Sequence, residues 1–223
     1  MKNVFVTGSS TGFGLLITKR LLENGYTVFA SMRNLKDRNA AKAESLSVFA
    51  QDKPGKLHLL DLDVTSDYSV DAAIEKALKL EGQIDILVNN AGVGQGGQTE
   101  AFLNNQFQQV FDVNVFGVQR TMRAVLPSMR KNGSGLVINI SSVMGRIIIP
   151  FAGIYTASTY ALEGLSESSS YELKGTGVDV VIVEPGGFPT NFIDSMMYPA
   201  DEERVKSYGD LADAPEKLWG GLG

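Results

Sequence analysis

The chain has 223 residues, 43% hydrophobic and 20% charged, enough for a sizeable core and unlike the composition of a disordered segment. A net charge of −5 argues against nucleic acid or an anionic membrane surface as partner, and the absence of cysteine excludes disulfides and thiolate metal sites. One histidine, His58, allows no histidine-rich metal centre, and no Ser-His-Asp nucleophile system is apparent; no metal is expected.

The opening "MKNVFVTG" has too short an apolar run for a signal sequence, and no stretch approaches the ~18 apolar residues of a membrane span. The expectation is a cytoplasmic chain without a membrane partner. Residues 3–7 (NVFVT) read as a buried strand, followed by the glycine-rich turn "VTGSSTGFG" and a helix over 12–24 that stops at Asn24-Gly25. Gly8, Gly12 and Gly14 allow a tight turn and close approach to a bound group, with Ser10, Thr11 and Phe13 filling the turn between them. The unpaired N–H groups and positive dipole end of the following helix suit a pyrophosphate. A glycine trio at the first strand–helix junction of an alternating chain is where a dinucleotide fingerprint belongs.

The next strand, 26–31, leads to Arg33 with no acid in its last positions. A carboxylate there would bind both ribose hydroxyls of NAD, whereas arginine accommodates a 2′-phosphate, so NADP is favoured over NAD. Asp37, four residues on, is an alternative partner for that arginine. A helix over 35–50 then precedes a strand at 56–62, which takes in His58, and a helix at 67–81. Thr65 or Ser66 is the N-cap of that helix and Gly82 its terminator. A strand at 84–90, a helical stretch at 101–131, a strand at 135–141, a helix at 154–174 and a strand at 178–185 complete the pattern. Strands of near-continuous hydrophobicity alternating with helices predict an α/β fold: a doubly wound, Rossmann-like parallel sheet in three layers. The expected organisation is one domain over 1–223. No seventh strand can be placed after Pro185; residues 188–223 read as a lid-like, truncated tail of loop and short helix, leaving the sheet without its last strand.

These motifs, in this order, resemble the classical short-chain dehydrogenase/reductase family over residues 3 to about 190. The resemblance rests on Thr7-Gly8-x-x-x-Gly12-x-Gly14, on Asn89-Asn90-Ala91-Gly92 and on Asn114 in "FDVNVFG". It continues with Ser142 thirteen residues before Tyr155, and with Pro185, Gly186 and Thr190 in "EPGGFPT". It implies an NAD(P)-dependent enzyme in which Asp63, with Val64, touches the adenine and Asn90, Ala91 and Gly92 line the adenosine ribose. Pro185, Gly186, Phe188 and Thr190 would hold the nicotinamide carboxamide, and Tyr155 would lie against the cofactor as well. Tyr155 would move the proton, Ser142 would polarise the substrate oxygen, and Asn114 would hold water or a helix carbonyl further back. Each segment also has a plainer reading: "LDLDVT" as a capped strand end, "NNAG" as a turn and "PGG" as a chain reversal.

One position departs from the family pattern Tyr-x-x-x-Lys, for Thr159 stands where the lysine is expected. Residues four apart share a helix face, so a lysine there would put its ammonium beneath the phenol. Lowering a phenol from its ordinary value near 10 to neutrality takes about 4 kcal/mol of differential stabilisation, which threonine does not supply. With the phenol at its ordinary value, about one molecule in a thousand holds phenolate at neutral pH. Alcohol oxidation, which needs the base, suffers most. Engineered replacement, natural loss of turnover and water filling the gap all remain open. The function expected is NADP(H)-dependent interconversion of an apolar ketone or aldehyde with its alcohol, impaired at Thr159. The alternative is an NADP(H)-binding sensor or partner protein without catalysis.

Around the expected site, Val143, Met144, Ile147 to Ile149, Phe151, Phe188, Phe192, Met196 and Met197 are apolar, which predicts a small apolar carbonyl or alcohol as substrate. By the family resemblance, the helical stretches 101–131 and 154–174 imply a homodimer or homotetramer.

Overall fold

Phe5 faces one side of its strand while Val4 and Val6 face the other, and this alternation organises the whole molecule. The computed structural model describes residues 1–188, 190, 192–193 and 196–219. Strands β1 (Asn3–Val6), β2 (Thr27–Met32), β3 (Lys56–Asp61), β4 (Ile86–Asn89), β5 (Gly135–Ile140) and β6 (Val178–Val183) form a parallel sheet ordered β3-β2-β1-β4-β5-β6. The order reverses between β1 and β4, where Val4 pairs with Val28 on one side and Ile86 on the other. That reversal opens a crevice at the carboxyl ends of the strands.

Helices α1 (Gly12–Glu23) and α2 (Ala40–Ala50) cover the face of Val4, Val6, Val28 and Ala30 with Leu22, Ala43 and Leu46. The opposite face, with Phe5, Phe29, Leu87 and Val137, packs against α3 (Asp67–Glu81), α5 (Gly117–Asn132) and α6 (Gly153–Glu172). Burying both faces is what makes the strands read as continuous apolar runs. Between β4, β5 and the helices above them runs a buried polar chain. Thr121 donates to Asn89 Oδ1 at 2.6 Å, Asn89 Nδ2 to Asn139 Oδ1 at 2.8 Å, and Asn139 Nδ2 to Ser166 Oγ at 2.8 Å. His58 lies in β3, stacked on Phe29 at 5.0 Å with Nε2 2.6 Å from Glu81 Oε1.

Ser66 caps α3 by accepting from Ser69 N, and Gly82 ends it at φ 79°. Two boundaries differ from expectation. The helix expected from residue 35 begins at Ala40, because Asn34 takes φ 50° and starts a turn in which Asn39 Nδ2 bonds the Arg33 carbonyl at 2.6 Å. The stretch 101–131 is divided into α4 (Asn104–Phe111), a five-residue π turn (Asp112–Phe116) and α5. Such a turn is rare inside helices and collects at functional sites.

Beyond β6 the described tail contains two short helices, α7 (Glu202–Ser207) and α8 (Ala214–Trp219). Among the described residues the sheet has six strands. Among them β6 pairs with β5 alone, and its Val181 and Val183 are each more than 40% exposed. No helix among the described residues is long and apolar enough to cross a membrane.

Candidate active site

Two loops at the crevice are built as one unit. Thr7, at the end of β1, accepts through its hydroxyl from Asn90 N at 2.9 Å and Ala91 N at 3.0 Å. Asn90 Nδ2 returns to the carbonyls of Thr7 and Gly8 at 3.0 and 3.1 Å. The glycines have different reasons. A Cβ on Gly14 would collide with the Gly8 carbonyl and the Asn90 amide, so Gly14 serves close packing. Gly12, at φ 55°, is not crowded among the described residues: an added Cβ would meet only Thr190 Cβ, in ordinary contact at 3.8 Å. Thr11 precedes α1 in extended conformation without capping it through its side chain, and the first turn contains no acid. Ser10, Thr11 and Phe13 are half-buried around this turn. The Phe13 ring meets Phe188 edge-on at 5.5 Å.

Among the described residues nothing crowds Gly12, Gly186 or Gly187, and this room beside an uncapped helix start fits a dinucleotide's phosphates and nicotinamide end. Gly92 is exposed, 3.5 Å from Asn114 Oδ1 measured from its would-be Cβ. Arg33 is exposed just past β2, and among the described residues neither it nor Asp37 forms an ion pair with the other. Asp63 Oδ1 accepts from Thr65 N at 3.0 Å and Thr65 Oγ1 at 2.8 Å, so this carboxylate shapes its own turn. Val64 is buried, where a Cβ on Gly117 would lie 2.9 Å from its Cγ2.

Across the crevice, Tyr155 lies in the first turn of α6, with its phenol within the influence of the Ser142 hydroxyl. Burial pushes the phenol above its ordinary value of 10, and the Ser142 hydroxyl offsets this in part. The expectation of an ordinary phenol is therefore corrected upward. No cation among the described residues acts on it: Thr159 is 3% exposed and gives its hydroxyl to the carbonyls of Tyr155 at 3.2 Å and Thr156 at 2.9 Å. Ser142 also accepts from Met144 N at 3.2 Å.

Asn114, inside the π turn, is bound to both backbone groups of Val93, at 2.9 Å to the N–H and 3.0 Å to the carbonyl. Its Nδ2 also bonds Ser158 Oγ at 3.1 Å, and Ser158 donates to the Tyr155 carbonyl at 2.7 Å. The helix carbonyl expected near Asn114 is thus reached through Ser158, which the sequence reading did not single out. Two turns beyond Tyr155 lies Glu163, 4% exposed. Burial pushes its carboxyl up, with the Ser141 hydroxyl and Arg146 pulling the other way. Arg146 Nη2 stands 3.1 Å from Glu163 Oε2 and 2.9 Å from Glu167, and its Nε 2.9 Å from Glu184.

The apolar lining divides. Met144, Ala152, Ile149 and Met196 cluster with Tyr155, and the Phe192 ring tilts over Tyr155 at 5.4 Å. Gly94 makes room for Phe192, since a Cβ there would lie 2.8 Å from the ring. Met197 packs instead with Phe102, Val110 and Ile154, and Ile147 and Ile148 face outward at 53% and 78% exposure. Pro189 lies outside the described residues, while Pro185, Gly186, Phe188 and Thr190 follow β6 at the crevice.

A family model described as short chain dehydrogenase matches residues 2–198. The chain belongs to the short-chain dehydrogenase family. Among its relatives, 3-ketodihydrosphingosine reductase of Bacteroides thetaiotaomicron is 37% identical, the match covering 86% of this chain and 66% of that one. A short-chain dehydrogenase/reductase from Burkholderia phymatum solved with NAD is 28% identical at TM-score 0.80, covering 87% and 68% of the two chains. An alcohol dehydrogenase from Thermococcus sibiricus, solved with 5-hydroxy-NADP, is 27% identical at TM-score 0.79, covering 95% and 91%. The chain spans 56–74% of the length of the curated relatives it matches. The family is one of NAD(P)-dependent oxidoreductases, and both dinucleotides are represented among the solved neighbours of this chain.

Proposed function

We propose that this chain reduces an apolar ketone or aldehyde with NADPH, and performs the reverse oxidation poorly. The observation that carries the proposal is the partly buried Tyr155 ring beside Ser142 beneath an apolar cover, with no cation among the described residues to ionise it. When bound, the dinucleotide supplies hydride. Gly8, Ser10, Thr11, Gly12, Phe13 and Gly14 would hold its phosphates; Asn90, Ala91 and Gly92 its adenosine ribose; Asp63 and Val64 its adenine. Pro185, Gly186, Phe188, Thr190 and Tyr155 would hold its nicotinamide end. Arg33, exposed and without an ion pair among the described residues, supports NADP over NAD.

Tyr155 is the proton donor in this reading. A phenol raised above 10 is protonated throughout the neutral range, so the acid needed for reduction is in place and the base needed for oxidation is not. Ser142 bonds the same oxygen and steadies charge developing there. Asn114 acts at a distance, through Ser158 on the Tyr155 carbonyl. Phe192, Met196, Met144 and Ile149 exclude water and favour apolar substrates, in keeping with a relative that reduces 3-ketodihydrosphingosine.

The same reading takes 1–223 as one domain with residues from 188 onward as its lid. It assembles as a homodimer or homotetramer through α4, the π turn, α5 and α6, whose surface includes half-exposed Phe107, Phe116 and Tyr160. A second reading, a dinucleotide-binding protein without turnover, draws on Thr159, whose hydroxyl is consumed within its own helix. One experiment separates them: NADPH oxidation over a panel of apolar carbonyls, run with the natural chain and with Thr159→Lys. Turnover that rises in the variant supports the reductase; background turnover in both, with NADPH still bound, supports the second reading.

A further inference from the structure

Helix α6 begins without a cap of its own. Its N-cap is Ala152, which has no side chain able to accept a hydrogen bond, and the first turn contains no acid. Just before it, Phe151 takes φ 63°, one of two non-glycine residues in the left-handed region among those described. A bulky residue held there is strained and persists only when its surroundings fix it.

Both needs are met by one side chain from another loop. Gln95 is fully buried. Its Oε1 accepts from Ile154 N at 3.1 Å, with a longer contact to Tyr155 N at 3.4 Å. These are the second and third helical residues, whose N–H groups a serine or aspartate cap would satisfy. Its Nε2 donates to the Phe151 carbonyl at 3.2 Å and to Gly97 O at 3.3 Å, and Gly97 N donates to the same Phe151 carbonyl at 2.8 Å. The loop bearing Gln95 also receives the tail, for Met197 N bonds Gly94 O and Gly96 N bonds Met197 O, both at 3.0 Å.

We propose that Gln95 is a positioning residue, whose amide holds the left-handed turn at Phe151 and caps α6, and so sets where the Tyr155 hydroxyl lies. The proposal rests on Tyr155 as proton donor only for its kinetic consequence. Gln95 touches neither the phenol nor Ser142. The amide suits the task because it is donor and acceptor at once, facing carbonyls on one side and N–H groups on the other. A leucine or methionine would fill the volume and make none of these bonds.

The test is Gln95→Met, alone and combined with Phe151→Gly, which adopts positive φ without strain. The first readout needs no turnover: pH titration of the Tyr155 ring by carbon NMR in tyrosine-labelled protein, assigned with Tyr155→Phe. In Gln95→Met the Tyr155 titration moves to lower pH as the ring loses its enclosure, and adding Phe151→Gly brings it part of the way back. In NADPH-dependent reduction, kcat falls about 10-fold to 100-fold, as misplacement by about 1 Å produces, with KM for NADPH unchanged. An unchanged titration in Gln95→Met, or lower thermal stability alone, overturns the proposal. So does a shift that Phe151→Gly does not reverse. If Gln95→Met does not fold, the double variant carries the test: wild-type titration supports the turn-holding role, and failure to fold there too overturns it. Absence of turnover in every form, Thr159→Lys included, counts against the reductase reading and leaves the titration to judge Gln95.

Discussion

The two walls of the crevice are specified in different ways. The wall of Thr7, Gly8, Gly14 and Asn90 is mostly backbone, with side chains that bond main-chain groups and glycines fixed by what a Cβ would strike. The wall of Ser142, Tyr155 and Thr159 depends on what individual side chains carry at their tips. A shape of the first kind tolerates little change anywhere, whereas chemistry of the second kind is altered by one substitution with the fold intact. Thr159 is such a case, fully accommodated within its helix and unable to do what an ammonium would do.

The sharpest way to test that difference is Thr159→Lys. A cation below the phenol should raise turnover by about 10²-fold to 10⁴-fold, the range of a general acid–base contribution, read as NADPH oxidation with the best apolar carbonyl. Next comes Gly14→Ala, aimed at the other wall. Its methyl group meets the Gly8 carbonyl and the Asn90 amide, and overpacking of that kind should cost about 1–3 kcal/mol in denaturant unfolding and weaken NADPH binding. Arg33→Asp should then exchange NADPH preference for NADH preference by about 10-fold, or about 1.4 kcal/mol, in competitive titration. An unchanged preference would remove Arg33 from the cofactor reading.

The smallest effect belongs to Glu163. Because burial raises its carboxyl above 4.5, the folded state holds the proton more tightly than the unfolded chain. That contribution is fully present below pH 4.5 and is lost as pH rises through the folded value. Glu163→Gln should remove this component, flattening the decline in stability above pH 4.5 in unfolding curves. A slope identical to that of the natural chain would show that Arg146 compensates the charge in full.

How much of this the amino-acid string disclosed follows the same division. The strands were legible because both faces of the sheet are buried, and the glycine wall because sterics leave few residue types to choose from. The first turn of the helix expected at 35 was misplaced because Asn34 enters the left-handed region, which asparagine permits without requiring. The π turn left no mark in the periodicity of 101–131. Its cause is a set of long-range bonds from Asn114 to Val93 and Ser158, which no local pattern encodes. Gln95 escaped notice for a related reason. The only hint was a missing cap before α6, and a residue that caps from fifty-nine positions away leaves no spacing to read.

The bonds between Thr7 and Asn90 join residues eighty-three apart, and β1 obtains its inner neighbour only when β4 has been made. A nascent chain therefore carries the glycine turn through eighty-three further residues of synthesis before its partner at Asn90 exists. Closure of so long a loop is paid in chain entropy before any contact rewards it. The dinucleotide cradle is thus a late product of folding, and a coenzyme present during refolding should act on the last steps of the reaction rather than the first.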